Sequence, residues 1–334
     1  MMDMAQQRLP MGRKSIAKIA LLSGFMVFVS LLPLWVGSPY ILHLLIITLI
    51  YMVASVSLRT ITISGQFPLA HGAFMGIGAY LSAMASKWLG WSPFLSIPLS
   101  ALATMGIGML IGYPFSRLRS LYYAIGSLFF GIGVIYIIYS IGTFTGGYSG
   151  LARIPSLFSI STSKVYYYYL FLGLAFVSIV ALYRFEFSHI GTLLKAIAQS
   201  HLVASSVGIN EAWYRIMVAG VGCFFAGLAG AGYAHYNMVI SPSSFSFMAT
   251  LWLVMYVLIG GINSFAGPIV GTVILFLVPQ FARDLREYSP FFSAFLLLIV
   301  LFILPRGMVS LPGILWSWYS EPRKREKMPH VSGN

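Results

Sequence analysis

Residues 63–83 read ISGQFPLAHGAFMGIGAYLSA. Pro68 interrupts helix here, and Gln66 and His71 stand at the entrance to a glycine-rich apolar run. Backbone groups freed by such a break at membrane depth need protein or water partners, so broken helices tend to line cavities. His71 therefore has two readings, a satisfied structural residue or a group facing a cavity. Residues 63–80 likewise read either as the start of an ordinary span or as a broken, re-entrant segment.

The rest of the chain supplies the solvent for that run. Of its 334 residues, 59% are hydrophobic and only 8% charged, with a mean hydropathy of +0.88. Soluble domains carry about 25% charged residues, so the class is integral membrane. Unbroken apolar runs of about 20 residues indicate helices, whereas barrel strands would alternate over about 10. Windows of that length predict an all-α, polytopic helical bundle of about ten transmembrane helices, near 16–36, 40–59, 70–88, 94–114, 121–142, 165–184, 213–236, 246–262, 265–282 and 290–306. The first run has no small-residue cleavage site and reads as a retained helix, not a signal peptide. Residues 1–15 and 313–334 are basic tails flanking a membrane domain over 16–312.

Lysine and arginine set the orientation. With the N-terminus inside, five of the 20 face outward, namely Lys87, Arg153, Lys164, Arg283 and Arg286, and the other fifteen face the cytoplasm. This predicts a multi-pass membrane protein with both termini cytoplasmic. The net charge of +13 is then topology and attraction to anionic membrane lipid, not nucleic-acid binding.

On this topology the longest cytoplasmic loop contains SHIGTLLKAIAQSHLVASSVGIN, residues 188–210, too polar to cross a membrane. Ile190, Leu193, Leu194 and Ile197 recur at helical spacing behind a Ser188 N-cap, and Ser200 caps a second short helix ending at Gly208. The apolar stripe has two candidate seats, the bilayer surface or a groove on a partner protein.

Several chemistries are missing from the sequence. The seven acids, Asp3, Glu186, Glu211, Asp284, Glu287, Glu321 and Glu326, all fall outside the predicted spans, which disfavours the intramembrane carboxylates of ion-coupled transporters. No phosphate-binding loop, zinc motif or nucleophile constellation is present, so no catalytic residue and no metal ligand is expected. Cys223, the single cysteine, reads as a small core hydrophobe. Glycine is abundant instead, at 33 residues, and pairs such as Gly72 with Gly76 and the cluster from Gly220 to Gly232 suit close helix packing.

Eight blocks in order, GQFPLAHGAFMGIGAY, RLRSLYYAI, TFTGGYSGL, GTLLKAIAQSHLVASSVGIN, GLAGAGYAHY, ISPSSFSF, LIGGINSFAGPIVG and PRGM, spread from Ile41 to Pro312. Together they resemble the permease subunits of bacterial high-affinity branched-chain amino-acid ABC importers (LivM-type, related to LivH). The resemblance implies ABC importer permease architecture: half of a translocation pathway for branched-chain or other hydrophobic amino acids. Its partners would be a second homologous permease, two ATPase subunits and a periplasmic or lipid-anchored substrate-binding protein. The chain itself would bind no cofactor, ATP and magnesium being used by the ATPase subunits.

Residues 188–210 then look like the segment that couples to the ATPase, with Ser188, Gly191, Lys195, Ala196, Ile197, Gln199, Ser200, His201, Ser205 and Gly208 as its contacts. Where the family usually has an arginine this chain has Ala198, and it has Gln199, His201 and Ser205 at positions usually acidic. The resemblance also puts Gln66, His71, Gly72, Phe74 and Tyr80 on the pathway, and Thr145, Gly146 and Gly147 on the side met by the binding protein. Before His71, where the family reads Ser-Leu-Gly, this chain has Pro68, Leu69 and Ala70. Other solutes remain open, namely urea, amides, and carboxylic or aromatic acids. So do the rival classes of stand-alone secondary transporter or channel and, least supported, membrane-embedded enzyme.

Overall fold

The computed structural model describes residues 38–118, 120–158 and 163–277, together with 30–33, 35, 291, 295, 298 and 308. Helix α1 spans Pro39–Thr62, with proline pre-set in its first turn, and a turn through Gly65 leads to α2, His71–Trp88. Next come α3, Pro93–Phe115, α4, Ser120–Ser140, and the single turn α5, Gly142–Thr145. Helix α6 runs Lys164–Glu186 and is followed by the short α7, His189–Gln199, and α8, His201–Ser206. The longest helix is α9, Glu211–Asn237, and the described chain closes with α10, Phe247–Gly260, α11, Gly267–Thr272, and a π-turn over Val273–Leu277.

Six of these helices are long and apolar enough to cross a membrane, so this is a multi-pass membrane protein. The expected span 70–88 is present as α2 but is not among the six. Lys87 in its last turn and His71 in its first lower its hydropathy most, and the rest of the helix is largely buried inside the bundle. The expected spans 16–36, 290–306 and the end of 265–282 fall largely outside the described residues.

Helix α9 is the hub, packing on α1, α2 and α3, while α1 also meets α6, α10 and α11. In α1, 72% of the spanning window is buried, against 33% in each of α3, α4 and α6. The latter three turn side chains such as Leu110, Phe129 and Val177 outward, a face that suits lipid or a partner helix and not water. The α2–α9 crossing explains the glycine cluster: a Cβ on Gly230 would lie 1.8 Å from the Met75 carbonyl oxygen, and one on Gly78 would lie 2.4 Å from Gly227.

Polar contacts hold α2 at both ends. At its start, His71 Nε2 pairs with Ser57 Oγ of α1 at 2.8 Å. In its second half, Ser82 meets His235 Nε2 of α9 at 2.8 Å and Ser96 of α3 at 2.9 Å, while Ser86 also reaches Ser96 at 2.8 Å. The break before α2 is satisfied as membrane burial demands. Leu69 N donates to Ser127 Oγ and Gly72 N to Thr250 Oγ1.

One feature departs from the expected all-α fold. Leu151–Ala152 and Val239–Ile240 form a two-residue antiparallel ribbon, β1 and β2. The loop after α5 folds back over the end of α9 there, and the extended dipeptides pair their otherwise orphaned backbone groups, continued by Ile154 N donating to Met238 O.

Candidate functional site

The end of the bundle that carries residues 188–210 is built from capped helices. Ser188 Oγ accepts from Gly191 N and starts α7; Ser200 Oγ accepts from Val203 N and starts α8; Asn210 Oδ1 accepts from Trp213 N and starts α9. Gly208, with φ of +83°, ends the second short helix as a left-handed residue. The apolar stripe is split: Ile190 and Leu193 stay half-buried. Leu194 and Ile197 are fully buried in this chain's own bundle, because α7 packs against the ends of α6 and α9. Gly191 permits that approach, since a Cβ there would sit 2.0 Å from the Glu186 carbonyl oxygen.

The ten coupling candidates therefore divide by direction. Gly191 and Ile197 face inward, Ser188, Lys195 and Ser200 are half-buried, and Ala196, Gln199, Ser205 and Gly208 are exposed. His201 belongs to α8, and only its backbone is described. Beside the exposed group stand Leu202, Val203 and Val207, also exposed, so the described outward side chains over this arc mix apolar with neutral polar groups.

Beneath α7 lies a charge cluster that sequence reasoning missed. Glu186, the last residue of α6, is 2% exposed, and so is Arg59 near the end of α1. Both terminal nitrogens of Arg59 donate to the Glu186 carboxylate, Nη2 to Oε1 at 3.1 Å, and Arg59 Nε donates to Ile262 O at 2.9 Å. From the other side Lys195 Nζ sits 3.1 Å from Glu186 Oε1. Sequence reasoning had counted Arg59 toward topology and put Glu186 in a loop. Glu186 and Glu211, both expected outside the spans, are the last residue of α6 and the first of α9. The available signal was Arg59 itself: an arginine among SVSL and TITI needs a counter-charge, and the chain has few acids.

The five pathway candidates are all buried within the chain. Gln66 Oε1, His71 Nδ1 and Tyr80 OH have no hydrogen-bond partner among the described residues. Phe74 stacks obliquely on Phe130, ring centroids 5.5 Å apart. Beside it Pro68, Gly108, Tyr123 and Cys223 border a cavity of about 20 Å³, roughly the room one water needs.

At the opposite end, Thr145, Gly146 and Gly147 form a tight turn. Thr145 is buried, its Oγ1 donating to Ile138 O at 2.6 Å, and Gly147 N donates back to Thr145 Oγ1. These residues shape the surface rather than present it, and the exposed side chains around them are Phe144 and Tyr148. Lys87 of α2 is tied here too, donating to Ala152 O at 2.7 Å.

The family profile described as "Branched-chain amino acid transport system / permease component" matches residues 40–304. The chain is 26% identical over 291 residues to the high-affinity branched-chain amino acid transport system permease protein LivM of Salmonella typhimurium, covering 79% of this chain and 68% of that protein. LivM of Escherichia coli is 25% identical over 315 residues, 85% of this chain and 74% of the relative. LivH of Escherichia coli is 26% identical over 308 residues, 83% and 93% respectively. No solved structure matches the chain.

Proposed function

This chain belongs to the branched-chain amino acid permease family, and from that premise we propose that it forms half of the membrane pathway of a binding-protein-dependent importer driven by separate ATPase subunits. The observation that carries the reading is segment 188–210. The first of two capped helices is fastened to the bundle by Leu194, Ile197 and the Glu186–Lys195 pair, the second is anchored by buried Ala204, and together they leave Ala196, Gln199, Ser205 and Gly208 exposed. A segment fixed inward and displayed outward suits transmission of force from a cytoplasmic partner. Because the displayed arc is uncharged where the family usually carries charge, the cognate ATPase has a correspondingly less basic groove there. Rim charges tune steering and specificity more than affinity.

Solute arrives at the end shaped by Thr145, Gly146 and Gly147, where the binding protein docks. It then passes α2, where Gln66, His71 and Tyr80 offer polar atoms and Gly72 and Phe74 give shape. Both LivM and LivH are among the relatives, and a second homologous permease supplies the other half of the path. The solutes are branched-chain or other hydrophobic amino acids, suited to a pathway whose candidate residues carry no charge; binding there is weak enough for release. ATP and magnesium are used by the ATPase subunits, and the chain lies in a bacterial cytoplasmic (inner) membrane with both termini in the cytoplasm.

The test is affinity purification from the native membrane in mild detergent, followed by an ATPase assay and uptake in proteoliposomes. Co-purification of ATP-hydrolysing chains and a second permease, with ATP-dependent leucine uptake, supports the reading. Recovery of the chain alone, with uptake in ATP-free vesicles, overturns it.

A further inference from the structure

We infer that Glu186 is the junction through which the 188–210 segment moves the membrane helices, and that Lys195 acts by positioning it, not by touching the ATPase. This deepens the importer reading and rests on it. The resemblance alone would place Lys195 on the docking face. Its ammonium instead sits 3.1 Å from Glu186 Oε1, beneath the segment.

One carboxylate thereby joins four parts of the chain. Glu186 ends α6, Lys195 comes from α7, Arg59 from the end of α1, and Arg59 in turn holds the Ile262 carbonyl after α10. Movement entering at α7 reaches α1 at this point. From α1 it passes to α2 two residues away, because Ser57 holds His71, the first residue of α2, and to α11 through Ser55 and Thr272.

The two bonds to the carboxylate differ in a way that suits a moving joint. The Arg59 and Glu186 side chains are 3% and 2% exposed, so parting them would strand a charge in a low-dielectric interior. The Lys195 side chain is 42% exposed, so its ammonium exchanges the carboxylate for water at little cost. The Lys195 contact is therefore the adjustable link, re-forming as it draws Glu186 after α7, while Arg59 and Glu186 travel together.

The test uses the complete importer, with both permeases, ATPase subunits and binding protein, in proteoliposomes, and reads solute moved per ATP hydrolysed. Lys195→Met removes the exposed partner and leaves the buried pair intact, so folding is not at stake. The ratio is expected to fall about tenfold, inside the roughly 5- to 150-fold range of coupling effects, and Lys195→Arg is expected to restore it. An unchanged ratio in Lys195→Met, or loss of ATPase co-purification in that variant, overturns the inference, the second by showing a docking contact. Wild-type uptake that needs no ATPase overturns the importer reading first, and this inference with it.

Discussion

Replacing Gly191 with alanine tests whether α7 is seated as closely as described. The added Cβ would lie 2.0 Å from the Glu186 carbonyl oxygen, 2.5 Å from its carbon and 2.8 Å from Cα. All three are backbone atoms, so no side chain can swing aside. A retreat of about 1.4 Å is needed to reach the 3.4 Å of ordinary contact, and that retreat lifts Leu194 and Ile197 from their seats and stretches the Lys195 pair. Overpacking of this kind costs about 1–3 kcal/mol. Gly173 of α6 is the matched control. It is also helical, but a Cβ there meets nothing within 4 Å, so Gly173→Ala gains about 0.5–1 kcal/mol of helix stability. Thermal unfolding of the detergent-solubilised protein reads both, and the same chemical change is expected to lower the midpoint at 191 and hold or raise it at 173. Wild-type unfolding of Gly191→Ala, or equal shifts at the two sites, would refute the close seating of α7 on α6.

Other perturbations separate the remaining contacts. Glu186→Gln leaves the buried Arg59 without its counter-charge, an expected loss of about 3–5 kcal/mol visible as a lowered unfolding midpoint. Ser57→Ala strips His71 Nε2 of its partner, and about 1–3 kcal/mol should be lost in the same assay. Tyr80→Phe deletes a buried hydroxyl that has no partner among the described residues. Its unfolding midpoint should hold or rise while the KM for uptake increases, and an unchanged KM would remove Tyr80 from the pathway.

Apolar run length made six spans between 39 and 260 legible, because crossing a hydrocarbon layer leaves few other uses for such runs. The caps at Ser188 and Ser200 were legible for a local reason, a hydroxyl three residues before the amide it accepts from. The seat of Leu194 and Ile197 was not, since amphipathic spacing tells that a stripe is buried and not against what. Nor was the pairing of Arg59 with Glu186, separated by 127 positions. Gln66, His71 and Tyr80 were singled out from a motif, and only the structure shows that all three are interior, each with a polar atom that has no partner among the described residues.

The histidine and serine contacts of α2 also bear on how the chain is made. Helix α2 is not among the six helices apolar enough to cross a membrane, and the partner of Ser82, His235, lies 153 positions later in the chain. While the ribosome is still short of α9, the hydroxyls of Ser82, Ser86 and Ser96 lack the imidazole and have one another and, for Ser96, the Pro93 carbonyl. Insertion of α2 is therefore provisional until α9 enters the bilayer, and a nascent chain arrested before residue 211 presents membrane quality control with a polar helix that has not yet met its clasp.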